Sequence, residues 1–192
     1  MMRLATLLLL PALALAPACN GSAIDGQNPD GSAAVLAPAG DTAVSGPVDG
    51  ISCDTHEMLL FHIHAHLAMF DHGDEKLVAA GVGIGPPLLF QGGSVSAGSC
   101  FSWLHTHDSS GIVHIESPVQ RTFTLGNFFH LWGLPLSATA VGPLSGPVTA
   151  YLNGAPYPGD PTTIPLDAHN VVQLDVGTPA PAPRPYSFPA GL

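Results

Sequence analysis

The chain has 192 residues, with 22 glycines, 20 prolines and only 9% charged residues. A formal net charge of -10 with neutral histidines argues against nucleic acid and against charge-driven binding to anionic lipid. No stretch keeps a long helical periodicity, so short strands and many turns are expected, in one domain with flanking segments.

Residues 1–18 read as an export signal. Arg3 supplies one positive charge, and the apolar run that follows is broken by Pro11 and is too short to span a bilayer. Ala16-Pro17-Ala18-Cys19 is similar to the bacterial lipobox, although leucine is usual where Ala16 stands. It implies lipid attachment at Cys19. Asn20, next to the cysteine, gives no argument for inner-membrane retention. Residues 19–50 are dominated by Gly, Ser, Ala, Pro and Asp and read as a lipid-attached flexible tether. The expected location is therefore the periplasm or the bacterial cell surface, with membrane contact only through the anchor. Of three cysteines, Cys19 takes the lipid. In an oxidising compartment Cys53 and Cys100 are expected to form a disulfide. Metal ligation by these two is the alternative, but they lack the close spacing of zinc-finger pairs.

The folded domain is expected over 51–178. Its first strong strand covers 58–70. There His62, His64 and His66 point one way, and Ile63, Ala65 and Leu67 point the other. Asp71-His72-Gly73-Asp74 is a turn, and 76–84 returns antiparallel until Gly85-Pro86-Pro87 stops it. Residues 91–99 read as a Gly/Ser loop. Residues 103–107 and 112–116 form the next hairpin, with Asp108-Ser109-Ser110-Gly111 as turn chemistry. A loop of two or four residues places His105 opposite His114 and His107 opposite Ile112. His105, His107 and His114 then share one face, with Glu116 near its edge. A three-residue loop would move His114 to the other face.

A short strand is expected over 119–123, and then one helix over 124–133. Thr124 is its N-cap, Gly133 follows its end, and Leu125, Phe128, Phe129 and Trp132 make one apolar stripe. Strands follow over 148–152 and 171–176, the first ending at the Asn153-Gly154 turn. His130 and His169 read as solvated. Residues 179–192 are a Pro-rich tail, extended along the surface or loose. The expected fold is mainly β, a small antiparallel sandwich or open barrel with one short helix.

Six of the ten histidines fall in the two alternating patterns. His105, His107 and His114 are the tighter set for a transition metal, and His62, His64 and His66 supply more ligands if the first strand packs beside the hairpin. Asp108 and Glu116 are expected as acceptors that orient imidazoles, or as bases. Imidazole without thiolate suits Cu(II) or Zn(II) and disfavours calcium and magnesium. Two alternatives remain open. One is a metalloenzyme with a three-His site and an open coordination position, used for hydration, hydrolysis or redox chemistry. The other is a metal-free interaction module in which the histidines bond only to protein groups. Nucleotide-loop and nucleophile-elbow motifs are absent.

Phe61-His62-Ile63-His64-Ala65-His66-Leu67, Trp103-Leu104-His105-Thr106-His107-Asp108, Gly111-Ile112-Val113-His114-Ile115-Glu116-Ser117-Pro118 and Phe123-Thr124-Leu125-Gly126-Asn127-Phe128-Phe129 resemble a group of exported bacterial proteins that carry HxHxHL and WLHTHDxxGIxHIESP-type motifs. The resemblance spans roughly residues 51–177. It implies one exported domain and carries no particular reaction.

Overall fold

The computed structural model describes residues 32–40 and 45–192. The leader expected over 1–18 and the lipidated Cys19 lie outside the described residues. Two short strands, β1 (Ala34–Val35) and β2 (Cys53–Asp54), precede the long β3 (Phe61–Asp71). The alternation of β3 has a direct packing consequence. Ala65, Leu67 and Met69 are buried in the apolar core on one side, and the histidines occupy the other. His72 and Gly73, both at positive φ, turn the chain into β4 (Asp74–Leu77). This return is shorter than the expected 76–84 because the chain leaves the sheet after Leu77 and coils through Gly81 and Gly83, both at positive φ.

The stretch expected as a Gly/Ser loop contains a hairpin of its own. β5 (Leu89–Gln91) and β6 (Ser94–Ala97) are joined through Gly92 and Gly93, which both take positive φ as a two-residue hairpin turn requires. Next come β7 (Phe101–Ser102), β8 (Leu104–His105) and β9 (Ile112–Ser117). The expected strand over 119–123 does not form. Pro118 precedes it, and Phe123 instead turns inward to the core.

Helix α1 (Leu125–Trp132) starts at Thr124, whose side chain accepts from the Asn127 N–H while Asn127 reaches back to the Thr124 N–H. That reciprocal capping satisfies two helix-end donors. Gly133 ends the helix in the left-handed region. Leu125, Phe128, Phe129 and Trp132 are all buried, each contributing about 1.5–3 kcal/mol of transfer free energy. A small meander follows, β10 (Leu136–Ser137), β11 (Ala140–Val141) and β12 (Leu144–Ser145). β13 (Val148–Leu152), β14 (Ala155–Pro156) and β15 (Val171–Val176) complete the fold.

The main sheet has eight strands in the order β1-β4-β3-β15-β13-β14, with β9 added to β3 and β8 added to β9. It is mainly antiparallel and does not close into a barrel. β15 nevertheless lies parallel to β3, and β1 parallel to β4. These pairings are open to segments that return after long excursions and need no tight turn.

The ends of the domain are more firmly held than composition suggests. Residues 33–40 do not behave as the expected loose tether. Leu36 is buried and donates its N–H to Leu77, and the Pro38 carbonyl accepts from Trp132 Nε1 at 2.7 Å. The short Val35-Leu36 pair is sufficient once β4 offers an unpaired edge. The Pro-rich tail runs extended along the surface. The Arg184 N–H donates to Gln173 Oε1, Arg184 Nη1 donates to Glu75 Oε2, and Phe188 stacks on His169. The Cys53–Cys100 disulfide is present, beside the β2–β7 pairing of Cys53 with Ser102.

Candidate metal centre

Strand register builds the site. β9 lies between β3 and β8. His64 pairs with His114, and His105 pairs with His114 from the other side. The carbonyl of His64 accepts from the His169 N–H, so His64 and His114 form a non-hydrogen-bonded antiparallel pair, the type that brings side chains closest. Their rings meet edge to face at 4.6 Å, and the His105 and His114 rings stack at 5.4 Å with 10° between planes. One step along, His62 pairs with Glu116. Five imidazoles and a carboxylate therefore share one face of the sheet, once His107 is added.

His107 arrives by a different route from the one expected. β8 ends at His105, and residues 106–111 do not close a tight hairpin. Thr106 is drawn away from β9. Its hydroxyl donates to the Ala79 carbonyl at 2.7 Å and accepts from the Val82 N–H at 3.1 Å. The His107 carbonyl accepts from the Val95 N–H. The β8–β9 ladder therefore stops at His105–His114, and the expected pairing of His107 with Ile112 does not form; on its other side Ile112 pairs with His66. Gly83 makes this close approach possible: a Cβ there would meet the Leu104 carbonyl oxygen at 2.2 Å.

Two hydrogen bonds fix ring chemistry. His105 Nδ1 donates to the Ser102 carbonyl at 2.9 Å, and His107 Nδ1 donates to the Val95 carbonyl at 2.7 Å. A carbonyl only accepts, so in the neutral rings both protons sit on Nδ1 and both Nε2 atoms carry lone pairs. Those two Nε2 atoms are 3.1 Å apart. Lone pairs facing each other at that distance repel unless a cation lies between them. Two imidazole nitrogens on one tetrahedral zinc, with Zn–N near 2.0–2.1 Å, would be about 3.3–3.4 Å apart. Binding each Nδ1–H to a carbonyl is also how metal-ligating imidazoles are oriented.

Glu57 completes this set. Its Oε1 lies 3.3 Å from His107 Nε2 and 3.9 Å from His105 Nε2. On the other side, His62 Nε2 is 3.1 Å from both His64 Nε2 and Glu116 Oε1. Among the described residues, the side chains able to hold a metal group as His105, His107 and His114; as His62, His64, His114 and Glu116; and as Glu57, His105 and Glu116, with the ligand atoms of each group within 4.8 Å of one another.

Electrostatics favour neutral rings at His105 and His64. Burial pushes His105 down to about 3, helped by His107 and His114 and opposed by Glu116. Burial lowers His64 to about 4, with His114 and His62 adding to it. Burial would raise the Glu116 carboxyl, but His114, His105 and His62 together outweigh it and hold it below the ordinary value. His105 and His64 thus offer unprotonated nitrogens and Glu116 an ionised carboxylate at neutral pH, which is the donor state a transition metal requires.

Two expected residues do not join. His66 lies on the correct face of β3, but the tail covers it. Tyr186 stacks on its ring at 3.6 Å, and its Nε2 donates to the Ser110 carbonyl at 3.0 Å. Asp108 orients no imidazole. Its Oδ1 accepts from the Ser110 N–H and closes a turn of the loop, a common use of aspartate. Glu57 has no motif of its own in the sequence. The signal available was the disulfide: pairing Cys53 with Cys100 carries the following residues alongside the strand that leads to His105.

No family model, curated protein or solved structure matches this chain. Its functional assignment therefore depends on the residues and their geometry.

Proposed function

We propose that the protein is an exported, lipid-tethered binder of a transition metal, serving to hold, store or deliver copper or zinc outside the cytoplasm. The observation that carries this reading is the pair of carbonyl-fixed imidazoles, His105 and His107, with Nε2 atoms 3.1 Å apart. His114 and Glu57 supply third and fourth donors. A four-donor set favours binding over catalysis, because an open position is what a catalytic metal needs. Nitrogen and oxygen donors without thiolate suit Zn(II) or Cu(II). The Cys53–Cys100 disulfide supports export, since such bonds persist in oxidising compartments.

The test is metal analysis of the untagged full chain after loading with Zn(II) and dialysis. A paired His105→Ala and His107→Ala variant should bind one ion fewer per chain than the wild type, with an unchanged far-ultraviolet circular dichroism spectrum. Equal metal content in a folded double variant would remove the assignment. A wild type that takes up no metal would favour a polar network of histidines and glutamates.

A further inference from the structure

We infer that the cluster holds two adjoining transition-metal ions, with His114 between them, and that the second is bound by His62, His64 and Glu116. This rests on the metal-binding reading above and extends it. Five imidazoles and two carboxylates converge here, which is more than one four-coordinate ion can use. Two four-donor sets sharing His114 use every one of them. The first is Glu57, His105, His107 and His114; the second is His62, His64, His114 and Glu116.

Three observations make the second set more than leftover side chains. His62 Nε2 stands 3.1 Å from both His64 Nε2 and Glu116 Oε1, so three donor atoms converge on one side of β3. Glu116 is only 3% exposed, and its Oε2 has no hydrogen-bond partner. A buried carboxylate oxygen left without a partner carries the desolvation cost that a bound cation would offset. His114 Nδ1 is also buried without a hydrogen-bond partner and lies 3.5 Å from Glu116 Oε1. An imidazole has two nitrogens on different edges of its ring. One ring in the middle of the His64–His114–His105 row can therefore face both sets, ligating both ions as an imidazolate whose N–H proton is released to solvent when the second ion binds.

The experiment is native mass spectrometry and elemental analysis of the untagged full chain, loaded with Zn(II) and dialysed, for the wild type and for three variants. The wild type should retain two ions. His62→Ala, an exposed position that should fold normally, should retain one, and Glu116→Gln should do the same. His130→Ala, on the remote helix, should retain two. A wild type that saturates at one ion, or a His62→Ala protein that retains two, overturns the second position while leaving the first intact. A wild type that binds none overturns the proposed function and this inference together. Loss of both ions in folded His62→Ala would show a single indivisible site and also overturn the two-position arrangement.

Discussion

His105 Nε2 and His107 Nε2 face each other over 3.1 Å, while the opposite nitrogen of each ring is bound to a backbone carbonyl, Ser102 for one and Val95 for the other. The two carbonyls belong to different parts of the chain. The pair therefore exists only when β7, β8 and the β5–β6 hairpin are all in place.

Glu57 should matter to affinity and little to folding, because its side chain is 36% exposed. Glu57→Gln keeps the shape and removes the charge. We expect a loss of about 10- to 100-fold in Zn(II) affinity, measured by competition with a chromophoric chelator, at an unchanged urea midpoint. Unchanged affinity would take Glu57 out of the donor set.

His66→Ala should leave the number of bound ions unchanged, since Tyr186 and Ser110 engage its ring away from the cluster. Tyr186→Ala should instead loosen the tail, with faster amide hydrogen exchange at Gln173 and Arg184. The loss of stability should be about 0.5–1.5 kcal/mol for the ring pair beyond its buried area. Loss of an ion from His66→Ala would restore His66 to the site.

In the metal-free protein, stability should fall on acidification. The unfolded imidazole takes its proton near 6.5, whereas folded His105 stays neutral to about 3 and folded His64 to about 4. Between those pH values the unfolded chain binds more protons, so each group removes about 1.4 kcal/mol per pH unit as the pH drops. Glu116, with its folded value depressed, adds to the loss at still lower pH. Urea unfolding with a chelator present should show a lower midpoint at pH 5 than at pH 7.5. An equal or higher midpoint at pH 5 would contradict the buried neutral rings.

Gly111→Ala should destabilise the fold more than Gly92→Ala. Both positions have positive φ, but a Cβ at Gly111 would lie 2.4 Å from the Leu67 carbonyl oxygen and 3.0 Å from His66 Nε2, while Gly92 has open space around it. The backbone conformation alone costs about 1–2 kcal/mol at either site, and the clash adds to it only at Gly111. Similar urea midpoints for the two variants would rule out the close packing of the 106–111 connection against β3.

Reduction of the Cys53–Cys100 bond should cost about 4 kcal/mol by the chain-entropy relation for its sequence separation of 47. It should also weaken metal binding, because β2 leads directly to Glu57. Calorimetry with and without reductant, paired with a Zn(II) titration, measures both effects.

Local chemistry was readable along the chain. The period-2 alternation of His62, His64 and His66 against Ala65 and Leu67 names a half-apolar strand. Thr124, the aromatic stripe and Gly133 define the helix. The pairing of His105 with His114 was also within reach, because it depends on hairpin parity. Parity did not determine the path of Thr106 and His107. Bonds to Ala79, Val82 and Val95 decide that path, and all three are distant in sequence. For the same reason the donor set was only partly legible. Period and parity sort side chains onto faces, and so placed His66 with the other histidines. What covers each face depends on segments returning from far along the chain. The tail closes over His66 through Tyr186, and the disulfide-held segment brings Glu57 to His107. Sequence alone therefore named the histidines and Glu116 as possible ligands, and missed Glu57. The tertiary structure decided which of their nitrogens and oxygens meet, because convergence depends on long-range register and on the carbonyls that hold each ring.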